Sequence, residues 1–120
     1  MLYELLAAGE LLAYARDLAP DNLHFSDGGA AFYRQMYDAM SAGLEREPQN
    51  PQVWFLRGVA AQGNHWYEES LQDLSEAIRL DPHHAKAYLL RSEVLASLGR
   101  YDMARTDRQK ALALDPKVVQ

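Results

Sequence analysis

The residues best suited to chemistry in this 120-residue chain are few and scattered. His83 and His84 are adjacent, His65 stands at a turn, and His24 lies in a loop-like stretch. Imidazoles bind zinc when two share one helix face with a further donor, as in an H-E-x-x-H spacing; neighbours in sequence rarely converge on one ion. No metal site is therefore expected, and the histidines read as solvated loop residues. Gly28 and Gly29 follow Asp27 and open a helix, a place where backbone N–H groups can hold a phosphate. With no preceding strand and no nearby lysine they read as a flexible turn. Cysteine is absent, which removes thiolate nucleophiles, thiolate metal sites and disulfides together and fits a cytoplasmic protein. No serine sits in a glycine-flanked elbow. Glu68, Glu69, Asp73 and Glu76 read as one solvated helix face. Met36 and Met40, with Phe32 and Tyr37, could pass for a cofactor stripe, but that spacing is more often core filler. The expectation is a protein that is not an enzyme and carries no cofactor.

Composition points to one ordinary soluble domain. Apolar residues make up 48% and charged residues 24%, with a formal net charge of −5. A surface with excess carboxylates disfavours nucleic acid and anionic membrane, since both select clustered Lys and Arg. The N-terminal stretch MLYELLAAGELLAYARDLAP is leucine-rich, and Ala13-Tyr14-Ala15 resembles a cleavage site. Yet no basic residue precedes the apolar run, and Glu4 and Glu10 interrupt it. Neither a signal peptide nor a membrane span of about 20 apolar residues fits. A first helix over 2–18 is the better reading.

The elements that must position these residues are announced by a period. Pro48, Pro82 and Pro116 stand 34 residues apart, and Tyr33, Tyr67 and Tyr101 precede them by 15 each time. Gly43, Ala77 and Ala111 recur five residues before the prolines, each followed by an apolar residue (Leu44, Ile78, Leu112). Glu47, Asp81 and Asp115 stand just before the prolines. A fixed period of this length marks stacked helical repeats. Within a unit, Trp54, Phe55, Leu56, Val59 and Ala60 lie on a stripe of helical spacing. Asn50 can cap that helix and Pro51 suits its first turn. Gly63-Asn64 ends it, a second helix over 67–80 follows, and Pro82 stops the unit. The pair repeats over 85–98 and 101–114, with Gly99 at the bend. No segment alternates with period two, so the chain is all-α.

The sequence resembles the tetratricopeptide repeat family, whose unit is a 34-residue helix–turn–helix. Trp54, Gly58, Ala61, Ser70, Leu74 and Pro82 occupy its marker positions in one unit; Tyr88, Ser92, Leu95, Ala104, Arg108 and Pro116 do so in the next. A marker leucine is replaced by Arg57 and Arg91, matched between units. The resemblance implies a right-handed α-solenoid of antiparallel pairs with about six helices. Its units are 51–84 and 85–118, preceded by a degenerate repeat. That repeat consists of a helix and inserted loop over 1–29 and a second helix over 30–50. Arg105 and Arg108, standing where the middle unit has Leu71 and Leu74, suit a helix that faces water at the end of an array.

Such arrays bind protein on the concave face made by the first helix of each unit. By position this points to Gln52, Phe55, Val59 and Gln62, with Lys86, Leu89, Glu93 and Ser97 from the next unit. Each set repeats at three or four residues and so shares a face. The mixture suits an amphipathic helix or an extended peptide of a partner. The alternative for Phe55, Val59 and Leu89 is packing beneath the N-terminal helix. A clamp for C-terminal carboxylates is not expected, because Phe55, Val59, Leu56 and Leu90 stand where its polar donors belong and only Lys86 fits. The expected role is an adaptor or scaffold. The alternative is a small chaperone or assembly factor for a secretion or multiprotein complex, dimerising through Leu2, Leu5, Leu6 and Leu12.

Overall fold

The computed structural model describes residues 30–119, so the expected helix over 2–18, its leucines and the inserted loop lie outside the described residues. Five helices are present and no strand among the described residues: α1 (Ala30–Arg46), α2 (Pro51–Gly63), α3 (Tyr67–Leu80), α4 (Ala85–Ser97) and α5 (Tyr101–Leu114). They pack as consecutive antiparallel pairs.

Local chemistry accounts for the boundaries. The Asn50 side chain accepts a hydrogen bond from the Gln52 N–H at 3.0 Å, and Pro51 follows where its missing donor leaves no bond unmade. At the bend after α2, His65 adopts φ 62°, and one period later Gly99 adopts φ 78°. Both are left-handed turns that reverse the chain between paired helices. α3 and α5 each stop at an extended Asp, Asp81 or Asp115, just before the proline.

The core runs along the seam between helices. Met36, Met40, Val53, Phe55, Leu56, Leu74, Leu90 and Val94 are fully or almost fully buried in one cluster. The two methionines are core residues, as their spacing suggested. A smaller cluster joins Leu89, Ala111 and Val118. Trp54, expected on the apolar stripe, is half-buried instead, with its indole N–H donating to the Pro48 carbonyl at 2.9 Å. Tyr33 and Tyr67 pack against the core, while Tyr101 is 67% exposed, because no described helix follows to cover it. The first helices α2 and α4 touch each other directly, whereas the second helices α3 and α5 do not. Such splaying puts α2 and α4 on the inner side of a curved stack and α3 and α5 on the outer side.

Candidate functional site

On the inner side, the eight residues expected to form a groove divide into two groups. Gln52, Gln62 and Glu93 are half-buried, and Lys86 and Ser97 are exposed. Phe55, Val59 and Leu89 are buried, and so form part of the molecule's own interior rather than an open apolar lining. The physical reason is contact with its own chain. Phe55 lies 4.7 Å from the His84 ring, and Leu89 packs with Ala111 and Val118.

His84 is not the solvated loop residue that its position suggested. It is the N-cap of α4, where Nδ1 accepts from the Ala87 N–H at 3.2 Å. That contact leaves the proton on Nε2, which donates to Gln52 Oε1 at 3.2 Å. One imidazole thus ends a helix, covers Phe55 and ties α4 to α2.

A second constellation sits between the helix layers. Arg57 Nε and Nη2 donate to the two carboxylate oxygens of Asp73 at 3.0 and 2.8 Å, and Nη1 donates to Ser41 Oγ at 3.2 Å. One period later, Arg91 Nε and Nη2 donate to Asp107 at 2.6 and 2.8 Å, and Nη1 donates to Ser75 Oγ at 3.3 Å. Each guanidinium therefore joins both helices of its own unit to the second helix of the preceding one. The planar fork matches a carboxylate in two parallel bonds, which lysine cannot reproduce. Arg57 also lies 5.0 Å from the Tyr37 ring centroid and 5.2 Å from that of Trp54; Arg91 lies 5.7 Å from that of Tyr88.

Asp73 is thus buried, which corrects the expectation of a solvent-facing carboxylate. Burial pushes its carboxyl above the ordinary value, and the hydrogen bond and charge of Arg57 pull it back only in part. Burial is the largest influence on Arg57 and opposes its charge, but the hydrogen bond and charge of Asp73, with the nearby Tyr37, together outweigh it and hold that group above its usual value. No buried side-chain nitrogen or oxygen among the described residues lacks a partner. Among those residues no group of three or more His, Asp or Glu is placed to hold a metal ion, and no helix is long and apolar enough to cross a membrane.

Two tetratricopeptide repeat models match the chain, one over residues 51–84 and the other over 85–118. The chain belongs to the tetratricopeptide repeat family. Among curated proteins nothing matches it. Among solved structures it is similar to the Arabidopsis OM64 TPR domain, with 20% identity, a TM-score of 0.73, and 95% of this chain and 87% of that one covered. It is also similar to the second TPR of Spaghetti (RPAP3) bound to the HSP90 peptide SRMEEVD, with 20% identity, a TM-score of 0.71, and 96% and 100% covered. The crystal structure of MamA matches at 16% identity and a TM-score of 0.71, over 91% of this chain, which spans 58% of that one. These likenesses establish the tetratricopeptide fold.

Proposed function

We propose that this tetratricopeptide chain is a protein-interaction adaptor whose inner face, along α2 and α4, holds an extended peptide or a helix of a partner protein. The observation that carries this reading is the side-by-side contact of α2 and α4, with Gln52, Gln62, Lys86, Glu93 and Ser97 at its water-accessible surface. The RPAP3 domain, of similar fold, was solved with a peptide bound, which supports peptide capture as a use of this architecture. Because Phe55, Val59 and Leu89 are buried, the affinity would come from polar contacts that fix register, set around the Lys86 and Glu93 charges. An acidic C-terminal tail is not the ligand class proposed, since the buried apolar side chains of Phe55, Val59, Leu56 and Leu90 supply no carboxylate donors.

The test starts with a partner captured on the immobilised chain, identified by mass spectrometry and then purified. Its affinity for the wild type is compared by calorimetry with that for a Lys86→Glu, Glu93→Lys variant. Reversing two interfacial charges should weaken binding by about ten-fold or more while circular dichroism stays helical. Equal affinities would remove the inner face as the site.

A further inference from the structure

Two places that the repeat makes equivalent are filled differently. On the outer side of α2, between α1 and α3, the Tyr37 ring lies against the Arg57 guanidinium and meets Trp66 edge-on at 5.2 Å between centroids. One period later the counterparts of those two rings are Leu71 and Arg100. Between α3 and α5, with α4 as its floor, a cavity of about 370 Å³ remains, lined by Leu71, Ser75, Arg91, Leu95, Met103, Thr106 and Asp107.

The lining narrows the class of ligand. All three nitrogens of Arg91 are engaged with Asp107 and Ser75, so its in-plane donors and its charge are largely taken up. What such a guanidinium still offers is a flat face, which attracts the π cloud of an aromatic ring rather than an anion. One such ring, Tyr88, is already beside it, and Leu71 stands where Arg57 has its second ring, Tyr37. Leu71 and Leu95 give apolar walls, and the Met103 thioether is a favourable neighbour for a ring. Met103 is 57% exposed, so the site opens on the surface, as suits a side chain presented by another protein.

We propose that this outer groove between α3 and α5 is a docking site for an aromatic side chain, tyrosine or tryptophan, of a partner protein, which would occupy the place that Tyr37 and Trp66 fill in the preceding unit. The site is separate from the inner face, and its variants touch none of the residues used to test that reading, so either can fail alone.

The experiment is a proton–nitrogen NMR titration of the full chain with N-acetyl-tyrosinamide, and with N-acetyl-leucinamide as the apolar control. The tyrosine probe should shift the amides of Leu71, Arg91 and Met103 saturably, and the leucine probe at equal concentration should not. Leu71→Tyr, which supplies the missing ring from within, should weaken the tyrosine probe about ten-fold or more. Met103→Lys, at an exposed position that leaves the fold intact, should weaken it about five-fold or more. The proposal is overturned if the two probes act alike, if neither variant weakens the tyrosine probe, or if the shifts fall on the inner-face residues. It is overturned as stated, with a second copy of the chain as the occupant, if the protein self-associates by ultracentrifugation and Met103→Lys makes it monomeric.

Discussion

The units 51–84 and 85–118 share helix boundaries, a left-handed turn and an Arg–Asp–Ser network, yet they satisfy these with different neighbours. In the first unit Arg57 has two aromatic rings beside it, Tyr37 and Trp54; in the second Arg91 has one, Tyr88. In the first, the Ser70 hydroxyl on α3 donates to the Gly58 carbonyl on α2 at 2.8 Å. In the second the hydroxyl has moved to the facing helix: Ser92 stands in place of Gly58 and Ala104 in place of Ser70, and Ser92 Oγ donates to the Leu89 carbonyl. Leu74 is buried where Arg108 is exposed. The repeat thus fixes the backbone and the charged clasp, while the side chains around them record whether another helix covers the unit. The unit 51–84 is packed on both sides. The unit 85–118 exposes Arg105 and Arg108 on the side away from it.

The largest difference between the units should appear when the clasp is broken. Arg57→Ala leaves the Asp73 carboxylate, 3% exposed, without its partner, a change that costs about 3–5 kcal/mol for a buried pair. Arg91→Ala leaves Asp107 at 8% exposure and loses one ring contact rather than two, so it should cost about 1 kcal/mol less. Urea denaturation of the two variants measures this difference; equal losses would show that the rings add nothing. Replacing both partners, Arg57→Met with Asp73→Leu, should recover most of the loss, because no charge is then left buried.

Close approach gives the next effect. A Cβ on Gly58 would come within 2.9 Å of Leu74 Cγ, so Gly58→Ala should cost about 1–3 kcal/mol by overpacking. The equivalent position in the second unit already carries a side chain, since Arg108 points to solvent where Leu74 packs. Ser92→Ala should lose only its hydroxyl bond, about 1 kcal/mol. Thermal denaturation should therefore rank Gly58→Ala below Ser92→Ala, and the reverse order would mean that Leu74 moves aside freely.

These contrasts also show what the sequence could and could not disclose. Helix ends were legible because they are local: Asn50 before Pro51, and the proline after Asp81 or Asp115, act on their own neighbours. The core methionines followed from helical spacing for the same reason. The clasp was missed because Arg57 and Asp73 are 16 residues apart on different helices, so no single-helix pattern joins them. A signal was nonetheless present: Arg57 with Arg91, Asp73 with Asp107 and Ser41 with Ser75 all recur at the 34-residue period. Polar residues that keep step with the repeat serve the repeat, and the acid at 73 could have been separated from Glu68, Glu69 and Glu76 on that ground. The inner face was half legible. Of the residues expected to line a groove, Gln52 and Glu93 are partly accessible and Lys86 is exposed, but whether Phe55 and Leu89 would be covered depended on His84 and Val118, which lie on other segments.

Acid should act on the first clasp through Asp73. Its carboxyl is raised above the unfolded value, chiefly by burial. The folded chain therefore holds that proton more tightly than the unfolded chain does. The resulting contribution is fully present below the unfolded value and is lost as pH rises through the raised one. Carbon-detected NMR of the Asp73 carboxyl should find a midpoint above the ordinary aspartate value, and Arg57→Ala should raise it further. A midpoint below that value would mean that the guanidinium outweighs burial.

The smallest effect concerns the turns. His65 and Gly99 occupy the same left-handed position, where a side chain is strained and glycine is not. Gly99→His would copy the first unit into the second and should cost about 1 kcal/mol. His65→Gly should remove comparable strain, but it also loses the 2.9 Å contact between His65 Nδ1 and the Tyr67 hydroxyl and the edge-on stacking of the two rings. Because that contact is exposed, its loss should offset only part of the gain, leaving His65→Gly stabilised by about 0.5 kcal/mol. Equal and opposite changes for the two substitutions would mean that the histidine ring contributes nothing to its turn; a destabilised His65→Gly would mean that its contact with Tyr67 outweighs the strained backbone.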